Sequence, residues 1–251
     1  MRISSDNSRR GTVLAPPATR LYAIGDIHGR WDLLQTLLGL IRCDAGTSTA
    51  SRRVVVFLGD YVDRGRQSAE VVEALVNGPP DDPSWRGFQW ICLKGNHEDA
   101  MLRFLDGETD GEDWLAHGGR TTIESYSRRP IPPAAGPGGL RAQLRDGLPD
   151  RHRRFLAGLP LWHAEGDYLF VHAGLRPGVA MADQNPDDLM WIRGSFLTSA
   201  VDHGRMVVHG HSIVPQPEIH ANRIAIDTGA YCSGRLTALV SEGSDSGFLS
   251  T

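Results

Sequence analysis

Five short polar clusters in this 251-residue chain carry side chains that can bind metal ions or move protons. They are Gly25-Asp26-Ile27-His28-Gly29, Gly59-Asp60-Tyr61-Val62-Asp63-Arg64-Gly65, Gly95-Asn96-His97-Glu98, His172-Ala173-Gly174 and His209-Gly210-His211-Ser212. Asp26 and His28 are two residues apart, so in an extended segment both side chains point the same way. A carboxylate oxygen beside an imidazole nitrogen suits a borderline divalent cation. Asp60 adds a carboxylate that can bridge two ions, Asn96 an amide oxygen, and His172 and His211 two imidazoles. Two Asp, one Asn and three His are too many ligands for a single tetrahedral zinc ion. They suit two metals with open positions. Oxygen and nitrogen donors without thiolate favour Mn2+, with Fe or Zn2+ as alternatives, over a calcium cage.

Other residues could complete such a site. His97 directly follows Asn96, and a histidine near metals with a carboxylate to orient it is the usual form of a general acid. Asp63 is the carboxylate at hand. The guanidinium forks of Arg64 and Arg193 match phosphate oxygens in pairs. Arg193, in Trp191-Ile192-Arg193-Gly194, also admits a structural salt bridge. His209 either joins His211 or simply ends its strand. His117, His152, His163, His203 and His220 lack such context and read as surface or helix residues. Cys43, Cys92 and Cys232 form no CxxC pair and read as inert core residues in a reducing compartment.

Each cluster needs an element to hold it. Leu21 to Ile24, Val54 to Leu58 and Phe88 to Leu93 are apolar runs that read as buried strands, each ending at a cluster. Between them, Leu33, Leu34, Leu37, Leu38 and Ile41 repeat at helical spacing, as do Ala69, Val72, Leu75 and Val76. Met101, Leu102 and Leu105 mark a third helix. This alternation is the signature of a parallel sheet with covering helices, and ligands bind at the carboxyl ends of such strands. Trp114 to Tyr126 reads as a helix interrupted at Gly118-Gly119, and Arg151 to Leu159 as a short basic helix. Further strands are expected at Tyr168 to Val171, Met206 to Val208, Arg223 to Ile226 and Leu236 to Val240.

Residues 1–19, rich in Ser, Arg, Pro and Ala, read as a loose tail. Residues 20–251 read as one domain, with a Pro/Gly-rich loop at 128–139 as an insertion. Area scaling buries roughly 70% of the unfolded surface, enough for a core without disulfide staples. Apolar residues make up 40% and charged residues 22%, which excludes a largely disordered chain. The formal net charge of −4 gives no basic excess to attract nucleic acid. Lys94 is the only lysine, so the basic side is almost all arginine. No run approaches 18 apolar residues, so no membrane span is expected. These properties suit a cytoplasmic monomer.

GDIHG, GDYVDRG and GNHE in that order, followed by the His of VHAGL and by HGHS, resemble the phosphoprotein phosphatase family of calcineurin-like metallophosphoesterases. The similarity runs from about Leu21 to Val240 and is strongest to bacterial protein serine/threonine phosphatases. It implies an α/β fold of two mixed β-sheets packed face to face and flanked by helices. It implies that Asp26, His28 and Asp60 hold one metal, and that Asp60, Asn96, His172 and His211 hold the other. His97 would be the general acid, paired with Asp63, and Arg64 and Arg193 would grip phosphate. The implied substrate is a phosphorylated protein or peptide, attacked in line by a hydroxide between the metals. Ile226-Asp227-Thr228-Gly229-Ala230 also resembles a late strand and turn of the bacterial enzymes, and Tyr231, next along the chain, has no assigned role.

Two alternatives follow. Related hydrolases of diadenosine tetraphosphate share the metal ligands, but typically lack an acid at the position of Asp63 and have Asp where this chain has Glu98. A non-catalytic phosphate-binding module of the same fold would be expected to have lost ligands or the acid.

Overall fold

The computed structural model describes residues 13–251. In chain order the first elements are β1 (Thr19–Ile24), α1 (Trp31–Ala45), β2 (Arg52–Phe57), α2 (Ser68–Asn77), β3 (Phe88–Cys92) and α3 (Asn96–Asp106). A kinked helical stretch follows, from α4 (Glu112–Trp114) to α5 (Arg120–Tyr126), and then α6 (Pro137–Gly147) and α7 (Asp150–Ala157). The remainder comprises β4 (Trp162–Glu165), β5 (Tyr168–Val171), α8 (Pro186–Trp191), α9 (Gly194–Leu197), β6 (Met206–His209), β7 (Glu218–Ile219), β8 (Arg223–Ala225), α10 (Ala230–Ser233), β9 (Thr237–Glu242) and β10 (Asp245–Ser250).

The strands form two sheets, in the orders β10-β9-β1-β2-β3 and β4-β5-β6-β8-β7. Both are mixed: β1-β2-β3 and β5-β6-β8 pair in parallel, and the β1–β9, β9–β10, β4–β5 and β7–β8 pairings are antiparallel. Alternation along each strand decides the layers. Leu21, Ala23, Val54 and Val56 face Phe170, Met206, Val208 and Ile224 across one core between the sheets. Their neighbours Tyr22, Ile24, Val55 and Phe57 face the other way, into a larger core under α1, α2, α3, α5, α6 and α7. On the far side, Leu169, Val171 and Val207 pack on Leu189 of α8, Phe196 of α9 and Ile192 between them. The result is four layers, helix–sheet–sheet–helix, with the central strands buried on both faces.

Several expectations need correction. The segment 13–19 is not a loose tail: Ala15 is buried and its N–H donates to Gly243 O, and Leu14 N–H donates to Asp167. Its strand β1 begins at Thr19. The rest of the expected tail lies outside the described residues. The 128–139 segment is an exposed loop over 128–136, as expected, with Ile131 and Ala135 resting on the helical core, and differs only in that its last residues form the first turn of α6. Pro137 can open that helix because the first turn has no use for its missing N–H. Cys43 and Cys232 are exposed rather than core residues. Cys92 comes nearest to the expectation, partly buried against the helical core with its thiol pushed up to about 12 by burial. His152 lies on the helix α7, in line with the expectation, but is buried there between the Tyr126 hydroxyl at 3.0 Å and Glu73 at 2.8 Å. Among the described residues no helix is long and apolar enough to cross a membrane.

Candidate active site

The five clusters converge because β1, β2 and β3 of one sheet and β5 and β6 of the other all end on the same side of the molecule. Tight turns are required there. His28, Asp60, Asp63, Arg64 and His211 all have positive φ, between 47° and 74°. Left-handed backbone at a non-glycine residue costs ~1–3 kcal/mol and persists only where surrounding structure imposes it. Glu98 supplies part of that imposition. Its buried carboxylate accepts from the backbone N–H groups of Asp60 (2.8 Å), Tyr61 (2.7 Å), Val62 (3.3 Å) and Gly95 (2.9 Å). It thereby ties the turn after β2 to the start of α3. Gly95 completes the fit, because a Cβ there would collide with the Asp60 carboxylate.

Asp60 stands at the centre. Its Oδ2 is 3.5 Å from His28 Nε2 and 3.9 Å from His97 Nε2, and its Oδ1 is 3.4 Å from His172 Nε2. His172 Nε2 also faces Asn96 Oδ1 at 2.9 Å and His211 Nδ1 at 3.2 Å. Two groups therefore have ligand atoms within 4.8 Å of one another: His28, Asp60 and His97, and Asp60, His172 and His211. Asp60 is common to both.

Asp26 belongs to neither group. Its carboxylate accepts from His211 N–H and hydrogen-bonds Asp227, which follows β8. Burial, then the nearby Asp227 and Asp60 charges, push Asp26 well above the usual carboxylate range. Burial likewise lifts Asp227 to about 6. Asp227 was legible as one more carboxylate at a strand end, but no histidine follows it to mark a ligand cluster.

The donor chemistry fits a pair of divalent ions. His28 and His172 engage the carbonyls of Val62 (2.8 Å) and Leu58 (3.0 Å) through Nδ1, which leaves each Nε2 lone pair facing the centre. Burial lowers the pKa of His28 and of His211 to about 3, and lowers that of His172, so all three are neutral imidazoles, the form that ligates. Burial alone would raise Asp60, but His172, His97 and His28 outweigh it and hold the carboxylate ionised. His211 Nε2 is buried with no hydrogen-bond partner, an orphan that a ligand would satisfy. His209 is buried in the end of β6 against Phe196 and is not part of either group.

A stability test follows from this donor set. Ions that bind only the folded chain stabilise it by about 2.7 kcal/mol at a hundred times Kd. For a chain of this size that is roughly 5–10 °C in melting temperature. Dialysis against a chelator should lower Tm by that amount, Mn2+ should restore it, and Mg2+, which prefers oxygen ligands, should restore less. A Tm indifferent to both chelator and Mn2+ would show that the cluster does not bind metal.

The remaining polar groups line the mouth. His97 Nδ1 is 2.6 Å from Asp63 Oδ2. Burial works against charge on this imidazole, but Asp60 and Asp63 outweigh it and raise its pKa to about 9. Arg64 Nη2 lies 3.4 Å from His97 Nε2. Its guanidinium carbon is 4.3 Å from the Tyr231 ring centroid, and that ring also packs edge-on to His28. Tyr231 is thus a wall of the site, which its place in the sequence did not reveal. Arg193 is exposed and lies close enough to His172 and His211 for its charge to oppose theirs. Among the described residues no carboxylate pairs with it, which removes the salt-bridge alternative.

Two mixed sheets that bring imidazoles and carboxylates together at their strand ends, with arginines at the rim, define a metal-dependent hydrolase of phosphate esters. The sequence profile of the family described as calcineurin-like phosphoesterase matches residues 19–228, and the chain belongs to that family. It is 28% identical over 240 residues to the asymmetrical bis(5'-nucleosyl)-tetraphosphatase PrpE of Geobacillus sp. (strain WCH70), covering 87% of this chain and 89% of that protein. It is 25% identical over 236 residues to serine/threonine-protein phosphatase 2 of Salmonella typhimurium, covering 86% and 90%. In fold it resembles the crystal structure of a candidate diadenosine tetraphosphatase, with a TM-score of 0.64 at 21% identity over 96% of this chain and 98% of that one.

Proposed function

We propose that the protein is a metal-dependent protein serine/threonine phosphatase that hydrolyses phosphomonoesters on phosphorylated proteins or peptides. The observation that carries this reading is the 2.6 Å contact between His97 and Asp63 beside the two donor groups. A pKa of about 9 leaves the His97 ring protonated at neutral pH. A serine or threonine alkoxide is a poor leaving group and needs that proton. A nucleotide leaving through its own phosphate does not.

Two divalent ions would be held by Asp26, His28 and Asp60 and by Asp60, Asn96, His172 and His211, with Mn2+ our choice and Fe or Zn2+ the alternatives. Bound there, they would supply Lewis-acid polarisation of the phosphate and a water of lowered pKa. The chain's own residues do the rest. Arg64 and Arg193 bind and orient the phosphate oxygens. His97 carries the proton to the leaving oxygen, and Asp63 holds the ring so that Nε2 faces outward. Arg64 and His97 are both donors at close quarters, and a phosphate can accept from both.

A second reading is cleavage of dinucleoside tetraphosphates, the activity for which the Geobacillus relative is named. The observation in its favour is Trp191, 48% exposed and edge-on to His211 at 6.2 Å between ring centroids, which offers a flat face to a base. The deciding experiment compares kcat/KM of the Mn2+-loaded protein on phosphoserine and phosphothreonine peptides with that on diadenosine tetraphosphate. A clear preference for the dinucleotide would overturn the phosphatase reading.

Arg193 gives a narrower test. Its proposed partners are oxygens whose charge changes during transfer. Arg193→Ala should therefore raise KM and lower kcat together, costing about 2–4 kcal/mol in kcat/KM. Arg193→Lys should recover only part, because an ammonium cannot make paired bonds. An unchanged kcat/KM in Arg193→Ala would exclude phosphate binding by this residue.

A further inference from the structure

Asp63 is held by more than His97. Its carboxylate is fully buried, and the indole Nε1–H of Trp114 donates to the same Oδ2 at 2.6 Å. The Thr122 hydroxyl donates to Oδ1, also at 2.6 Å. The same hydroxyl oxygen accepts from Asp63 N–H at 2.7 Å, so its donor and acceptor capacities are both in use. Trp114 and Thr122 sit on α4 and α5, on either side of a kink where Gly118 takes φ 107°. At that kink Gly118 O receives the N–H of Arg64 at 3.4 Å. The kinked stretch thus touches both residues of the Asp63-Arg64 pair.

We propose that Trp114 and Thr122 are positioning residues for the general acid. Together they fix the rotation of the Asp63 carboxylate so that Oδ2 meets His97 Nδ1 and the ring's Nε2 is aimed at the leaving oxygen. An indole N–H can only donate and does not ionise. Facing Oδ2, it favours the ionised carboxylate that His97 needs as a partner, against the burial that raises Asp63. The position is specified tightly: Trp114 is itself buried, packed on Phe104 at 5.0 Å between ring centroids. A Cβ on Gly119 would run into the indole. With the carboxylate fixed at both oxygens, the His97 ring has one orientation in which to deliver its proton. The inference rests on His97 being the acid, as proposed above.

The test separates aiming the proton from supporting the fold. Serine leaves as a poor alkoxide and needs the proton, whereas nitrophenolate leaves without one. Trp114→Phe keeps the ring and deletes the N–H, and Thr122→Val keeps the shape and deletes the hydroxyl. On Mn2+-loaded protein, each should lower kcat on a phosphoserine peptide by about tenfold or more, a fraction of what loss of the acid itself would cost. Each should leave kcat on nitrophenyl phosphate within about threefold of wild type, well short of that general-acid contribution. Thr122→Ser, which restores a hydroxyl, should restore the ratio between the two substrates. In a His97→Asn background, Trp114→Phe should change that ratio no further, because the group it orients is gone.

Equal losses on both substrates, or an additive effect in the His97→Asn background, would reduce both residues to structural roles and overturn the proposal. If Trp114→Phe does not fold, the Thr122→Val and Thr122→Ser pair decides alone. If His97→Asn itself shows no leaving-group bias, the acid assignment falls. If it shows the bias and the Trp114 and Thr122 variants do not, only the positioning proposal falls.

Discussion

Replacing Asp60 by asparagine is expected to lower kcat by ~10³-fold or more, the scale of what a metal site contributes to hydrolysis. The geometry gives Asp60 no substitute. Its two oxygens face different partners, His28 and His97 on one side and His172 on the other. It is the residue shared by both ligand groups. Asparagine keeps the shape, removes one negative charge and turns one oxygen into a donor. That amide would donate an N–H to an Nε2 lone pair of His28 or His172, whose Nδ1 atoms already engage the Val62 and Leu58 carbonyls, and so occupy a position a metal would need. The variant should lose at least one of two metals by elemental analysis, and its Tm should respond less to Mn2+. Asp60 also accepts from His97 N–H at 3.1 Å, so a small loss of stability without metal is expected as well. Wild-type rate with two metals bound would show that Asp60 is not the bridge.

The elements that carry the site were legible because their signals are local. Val54 to Phe57 is apolar on both faces of a buried strand, and such a run can only be satisfied between two layers. The Gly-Asp or Gly-Asn that ends each parallel strand of the first sheet marks where the chain must turn. Among strands without that signal, the apolar runs of β5, β6, β8 and β9 are legible as well, whereas β4, β7 and β10 are not. β4 reads Trp-His-Ala-Glu, and its Glu165 is held by Arg52, 113 residues away in sequence. β10 reads Asp-Ser-Gly-Phe-Leu-Ser and is a half-exposed edge whose partner, β9, does the specifying. α6 hid behind Pro137-Gly138-Gly139, residues that read as loop until Leu140 and Leu144 are seen buried.

The same division holds in the site. Asp26, His28, Asp60, Asn96, His172 and His211 follow strands directly, so residue type and position sufficed to single them out. Trp114 and Thr122 stand 51 and 59 residues from Asp63 on a kinked helix, and nothing in their surroundings in sequence names that partner. Tyr231 reaches Arg64 and His28 only through the turn that follows β8. Most residues of the proposed site are written into short motifs, while the residues that hold them are placed by the tertiary fold.

Replacing His97 by asparagine should damage hydrolysis of a phosphoserine peptide ~10²–10⁴-fold more than hydrolysis of nitrophenyl phosphate, the range set by general acid catalysis. Asparagine removes the titrating ring but keeps a polar side chain of similar reach at the start of α3. The buried Asp63 carboxylate loses one of its donors but keeps Trp114 and Thr122, so the fold should survive. Asp63→Asn should show the same bias more weakly. It takes away the charge that, with Asp60, lifts His97 to about 9, but leaves the ring in place. Neither side chain is among the six proposed ligands, although His97 lies within reach of Asp60 in one ligand group, so metal content must be measured on each variant. Rates must be compared as kcat at saturating substrate, because Arg64, 3.4 Å from His97 Nε2, can shift and alter KM on its own. A dinucleotide substrate makes the third arm: its leaving group departs through phosphate, so His97→Asn should spare it as it spares nitrophenyl phosphate. Equal losses on all three substrates with both metals bound would mean that His97 acts on the phosphate or the nucleophile. The proton would then have to come from elsewhere, and the observation that favours phosphoserine over nucleotide would lose its force.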